Sequence, residues 1–269
     1  RIGGIVLAEE NELDSTCGIS DEELTERFKE SIRIDQEICK IKGLPIAGYD
    51  DELDTNGYGV DDVTVNVYGG EFRGNEATVG GAIYAPSSTG AFTYVGKDNG
   101  LVKSSVIFAD NTASGNGGAI YNAGRMTVLD VRFEGNTAGG NGGAIYSLGK
   151  NIQTDVEDCV FVSNSAVNGG ALLVAGTSTL TKNVEAVVMN STFKNNSATE
   201  AGGAVAVLDS ARAYFTHDTF EANTSSLGGA INVDAATLEM NNVDLLQNQS
   251  SGKGGALALS TDATATLIS

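Results

Sequence analysis

The feature that most constrains this chain is a phrase it repeats seven times. FRGNEATVGGAIY starts at Phe72, FADNTASGNGGAIY at Phe108, FEGNTAGGNGGAIY at Phe133, FVSNSAVNGGALL at Phe161, FKNNSATEAGGAVA at Phe193 and FEANTSSLGGAIN at Phe220. The seventh copy, LLQNQSSGKGGALA, opens on Leu245 in place of Phe. The first glycine of each Gly-Gly pair falls at 80, 117, 142, 169, 202, 228 and 254, giving steps of 37, 25, 27, 33, 26 and 26 residues. A unit of this length cannot bury an apolar face alone. Its neighbours must stack on it to make a continuous core, which is the logic of a solenoid.

The unit is built from strands. Met126/Val128, Ala186/Val188, Ala213/Phe215 and Leu238/Met240 lie seven and five residues before the Phe or its Leu replacement. Such alternation places one face inward on a strand. Three residues before it stand Gly69, Ser105, Asp130, Asp158, Asn190, His217 and Asn242, all small or polar. That position reads as a corner. The next one is often small or apolar, as in Val106, Val131, Cys159 and Val243. One coil is therefore a strand, a corner, a short strand with Phe, an Asn turn, a Gly-Gly turn and the strand G-G-A-I-Y. The expected fold class is all-β, a parallel β-helix of about seven coils, right-handed as in the commoner form.

Successive coils sit about 4.8 Å apart, so equivalent residues stack. Phe72, Phe108, Phe133, Phe161, Phe193 and Phe220 are expected to fill the core. Asn75, Asn111, Asn136, Asn164, Asn196, Asn223 and Asn248 are expected to hydrogen-bond up and down a ladder. The glycines allow positive φ and a close backbone approach. The alanine after them fits where a larger side chain would clash.

The pairing of F-x-x-N with G-G-A-[I/L/V] resembles the repeats of the polymorphic outer-membrane proteins of chlamydiae. Similar repeats occur in other large surface proteins of bacteria and some unicellular algae. The resemblance covers residues 63–269. It implies a passenger-type β-helix, because chlamydial members are autotransporters whose β-helical passengers act as adhesins. Residues 1–269 include no C-terminal membrane barrel, so the resemblance implies a passenger portion or a relative from another organism. The motif specifies a scaffold, and function drawn from it is analogy.

Composition fits a folded, acidic, turn-rich chain. Of 269 residues 35 are Gly, 2 are Pro and none is Trp, while the hydrophobic share of 41% is too high for disorder. The net charge of −19 repels nucleic acid and anionic membrane, which need a basic face, and could attract divalent cations. No stretch approaches 18 apolar residues, so this segment inserts no transmembrane helix. The three cysteines form no disulfide framework. Cys17 and Cys39 could bridge in an oxidising compartment, and Cys159 reads as a small buried residue of the repeats.

The first 62 residues are a separate, acidic region, with 17 Asp/Glu against 6 Lys/Arg. Ser20–Lys40 reads as a helix: Ser20 and Glu23 form a capping box, and Leu24, Phe28 and Ile32 share a face. A solenoid end exposes strand edges and core, so this helix is expected to cap it. A separate interaction module is the alternative. In Asp50–Asp62 the oxygen-bearing Glu52, Asp54 and Asn56 alternate ahead of Gly57, as in a calcium loop. Val63 stands where the bidentate Glu belongs, so a solvated acidic linker is the other reading. Residues 63–269 form the repeat domain. Its end, TATLIS, reads as the first strand of a further coil.

Two insertions lengthen coils, Ala85–Gly100 with Phe92 and Tyr94, and Val174–Ala186, rich in Thr and Ser. Loops leaving a solenoid are usual binding places. Asn190 and Asn195 lie in glycosylation sequons. Asn223 and Asn248 do too, but as ladder residues they should be buried.

A β-helix enzyme acting on carbohydrate needs carboxylates, with Lys/Arg or calcium, clustered on one face. Asp130 and Asp158 occupy the corner position in consecutive coils, and His217 two coils later. No Arg/Lys cluster accompanies them, and the column varies as corners do. The expectation is no catalytic residue. The chain reads as a non-enzymatic extracellular or cell-surface protein, an adhesin or spacer that meets a protein or glycan. Alternatives are a filament or sheath subunit that meets copies of itself, and, least favoured, a carbohydrate-active enzyme. No cofactor is expected beyond calcium.

Overall fold

Alternating apolar residues pair with their counterparts one repeat away, and this pairing builds every sheet. The computed structural model describes residues 48–49, 63–85, 92–96, 105–149, 152–176 and 184–268. The expected helix Ser20–Lys40, the candidate calcium ligands Glu52, Asp54 and Asn56, and the cysteines Cys17 and Cys39 lie outside them. The described residues are all-β, a right-handed parallel β-helix.

Each coil has four sides. The first face stacks Val63–Val67, Phe92–Gly96, Arg125–Leu129, Gln153–Glu157, Glu185–Met189, Arg212–Thr216, Thr237–Asn241 and Thr264–Ile268 in parallel. Gly48–Tyr49 adds a short antiparallel strand against Val63–Thr64. The second face carries the Phe strands, such as Val131–Glu134 between Val106–Ala109 and Val160–Val162. The third consists of the residues that follow the Asn, as short as Thr137–Ala138. The fourth holds the G-G-A-I-Y strands, for example Ile145–Gly149 between Ile120–Asn122 and Leu172–Gly176.

The third face is absent from the sequence expectation, which joins the Asn turn directly to the Gly-Gly turn. A two-residue strand has no readable period, and only the neighbouring coils make it a sheet. The insertions also shrink. Phe92–Gly96 is a regular strand of the first face, and Leu172–Gly176 and Glu185–Met189 are strands too. Only residues 86–91, 97–100 and 177–183 of the two insertions fall outside the described coils.

Three corners recur in left-handed backbone, and Asp209, Ser210, Ala235 and Asp262 add a fourth in the last coils. Asp130, Asp158, Asn190, His217 and Asn242 turn the first face into the second with φ of 51° to 58°. Two residues after the Phe, Gly74, Asp110, Gly135, Ser163, Asn195, Ala222 and Gln247 do the same. The first glycine of each pair makes the third such corner. The second glycine answers a different demand. A Cβ on Gly143 would overlap the carbonyl oxygen of Gly170 in the next coil. Repeated coil to coil, this contact fixes Gly-Gly more strictly than any turn preference.

Candidate functional site

The repeat's polar chemistry points inward. The six Phe rings are at most 1% exposed. They stack with centroids 4.7 to 5.1 Å apart and planes within 10°. Phe215 meets Phe193 and Phe220 edge-on. Beside them runs the Asn ladder. The Asn136 amide donates to Asn164 Oδ1 (2.9 Å) and to the Phe108 carbonyl (3.0 Å), while its Oδ1 accepts from the Asn111 amide and backbone N–H. The same pattern joins Asn75 to Asn111 and Asn164 through Asn196 and Asn223 to Asn248. Each Asn from Asn111 to Asn223 thereby satisfies a corner closed to water. Asn111 through Asn223 are fully buried, and Asn248 in the last coil is half-buried.

A second polar column escapes the sequence reading. At the position two before the Phe, the Cys159 N–H donates to Ser191 Oγ (3.1 Å), and the Ser191 N–H donates to Asp218 Oδ1 (2.7 Å). All three residues are buried. Burial pushes the Cys159 thiol up to about 12 against backbone hydrogen bonds that lower it. It also pushes the Asp218 carboxyl up to about 7 against two backbone N–H donors. The only early signal was a lone Asp in a column of Val, Cys and Ser.

The corner carboxylates look outward. Asp130 is half-buried and Asp158 exposed, one coil apart, their backbones joined in the hydrogen-bonded wall through Glu157 and Met189. Asn190 separates Asp158 from exposed His217, so the structure does not bring the histidine beside a carboxylate of this column. Asn190 and Asn195 are exposed left-handed corners, whereas Asn223 is closed inside the ladder.

The outward surface carries aromatic residues at one end of the described coils. Tyr84, Tyr121 and Tyr146 stand in register on the fourth face. Their centroids are 5.3 Å apart and their planes tilted by 35°. Exposure falls along the row, from 56% at Tyr84 to 7% at Tyr146. Burial, then neighbouring tyrosines, raises the Tyr121 and Tyr146 hydroxyls above the ordinary range, and Asp209 adds to the effect at Tyr146, so both remain neutral donors. Tyr68, just past the first-face strand Val63–Val67, lies 5.5 Å from Tyr94 of that face, with Phe92 at the surface. Rigid amphipathic rings on a fixed sheet give contact area at low entropic cost. The signal was present in the sequence, as the Tyr that ends three successive GGAIY copies.

Comparison with known proteins finds three Chlamydia polymorphic membrane protein repeats in the chain, at residues 105–123, 130–148 and 190–207. Each match begins at the first corner and runs through Phe, Asn and Gly-Gly into the fourth face, so the matched unit takes in three sides of the coil and leaves out the first-face strand. No curated protein and no solved structure matches the chain.

Proposed function

We propose that this is a non-enzymatic extracellular surface protein whose β-helix acts as an adhesin, presenting an aromatic contact surface to a protein or glycan on another cell. The observation that carries this reading is the in-register row Tyr84–Tyr121–Tyr146, which emerges at Tyr121 and Tyr84 on the outside of a stacked, inwardly hydrogen-bonded wall. Exposed apolar patches mark interaction sites, and tyrosine is over-represented in them. The repeats support the surface setting, since the family they match is one of membrane proteins.

The test is adhesion of beads coated with the purified chain to host-type cells. Tyr84→Ser/Tyr121→Ser should lose most of the bound fraction while unfolding at nearly the wild-type temperature. Equal adhesion by the variant would sink the proposal. Sedimentation of the same preparation addresses the filament alternative, because growth of long particles with concentration would move the reading there.

A further inference from the structure

The Cys159–Ser191–Asp218 column changes its chemistry partway along. Ser191 shows what the corner requires: its Oγ accepts the Cys159 N–H and donates to the Met189 carbonyl (2.9 Å). Both contacts are neutral. One coil later the same place holds a carboxylate that is 1% exposed. Asp218 Oδ1 accepts the Ser191 N–H, and Oδ2 accepts the Thr216 N–H (2.9 Å). In the next coil the column turns apolar at Val243.

No cation answers this carboxylate among the described residues. The titratable side chains on the elements packed around it are His217 on its own corner, Glu185 and Lys194 in the preceding coil, Arg212, Tyr214 and Glu221 in its own, and Glu239 and Asp244 in the next. All are half-buried or exposed. Lys194 is paired with Glu221 on the second face. Two N–H donors are less than a buried carboxylate needs to match its hydration in water.

We propose that Asp218 is a pH-responsive device built into the wall, neutral when protonated, and a buried charge answered only by two N–H donors that loosens the corner between the first and second faces when ionised. The sign follows from its environment. Burial holds the folded carboxyl at about 7, above the ordinary Asp value of 3.8. The stability it contributes is therefore complete below the ordinary Asp range and is lost as pH rises through about 7. The coils around Asp218 are firmer in mildly acidic surroundings than in alkaline ones.

The test compares the full chain with Asp218→Ser, the residue that the preceding coil already uses. Melting temperatures are measured from about pH 5 to about pH 8, the window in which the carboxyl changes state. Asp218→Ser should melt above the wild type on the alkaline side, with the gap narrowing as pH falls. A gap that does not vary with pH would overturn the proposal. Carboxyl carbon NMR of the wild type gives a readout that does not depend on the variant folding. Asp218 should titrate near neutrality, and titration in the ordinary Asp range would equally overturn it.

Discussion

Asn136→Ala removes one rung from the middle of the ladder. The native side chain is fully buried and makes four hydrogen bonds of 2.9 to 3.1 Å. Alanine leaves the Asn111 N–H and one Asn111 amide hydrogen without their partner inside a closed corner, and takes one bond from the Phe108 carbonyl. A buried polar group left unsatisfied costs about 1–3 kcal/mol. The losses share one network and do not add independently, so the expected total is about 3–5 kcal/mol. Asn75→Ala is the control. Asn75 is half-buried at the ladder's first coil, and among the described residues its amide donates to Asn111 Oδ1 alone (2.8 Å). Its loss should cost about 1 kcal/mol. Equilibrium unfolding in denaturant measures both. If Asn136→Ala costs no more than Asn75→Ala, the ladder does not hold the coils together and the reasoning fails.

Three further perturbations probe the inward chemistry. Phe133→Ala, in the centre of the ring stack, should cost about 3–5 kcal/mol by leaving a cavity between Phe108 and Phe161; an unchanged midpoint would show the stack to be misplaced. Gly143→Ala should prevent folding or lower the melting temperature sharply, because its Cβ meets the Gly170 and Ser165 carbonyls of the next coil. Gly74→Ala, with no atom near its Cβ, should show only the modest strain of its positive φ. In a Cys17→Ser/Cys39→Ser background, the Cys159 thiol, pushed up to about 12, should resist Ellman's reagent at mildly alkaline pH and react only on unfolding. Rapid reaction of the folded protein would contradict its burial.

The sequence reveals the coil because Phe, Asn and Gly-Gly demand the same thing at every repeat: a ring, an amide and an absent Cβ. The corner before the Phe strand is legible for the same reason, since left-handed backbone selects Gly, Asn and Asp. It fails to reveal the corner at Ala222 and Gln247, where the fold imposes positive φ on residues that do not advertise it. It also hides the third face, whose strands are defined only by their neighbours. Asp218 is hidden for a related reason: polar residues next to a turn are usually solvated, and only the stacked coils close over this one. The tyrosine row is visible as a column, but an outward column has no packing requirement that distinguishes contact from solvent exposure.

Equivalent residues of successive repeats stack one coil apart. Thr127 and Glu239 share a row of the first face four coils apart, and Thr266 extends it by one. Spin labels at Thr127→Cys and Glu239→Cys, again without Cys17 and Cys39, should lie about 19 Å apart at 4.8 Å per coil. The pair at Thr127→Cys and Thr266→Cys should lie about 24 Å apart. Double electron–electron resonance reads both distances. An increase of one coil spacing between the two pairs is the predicted result. Distances that are broad, or that do not grow by that step, would contradict the stacked β-helix.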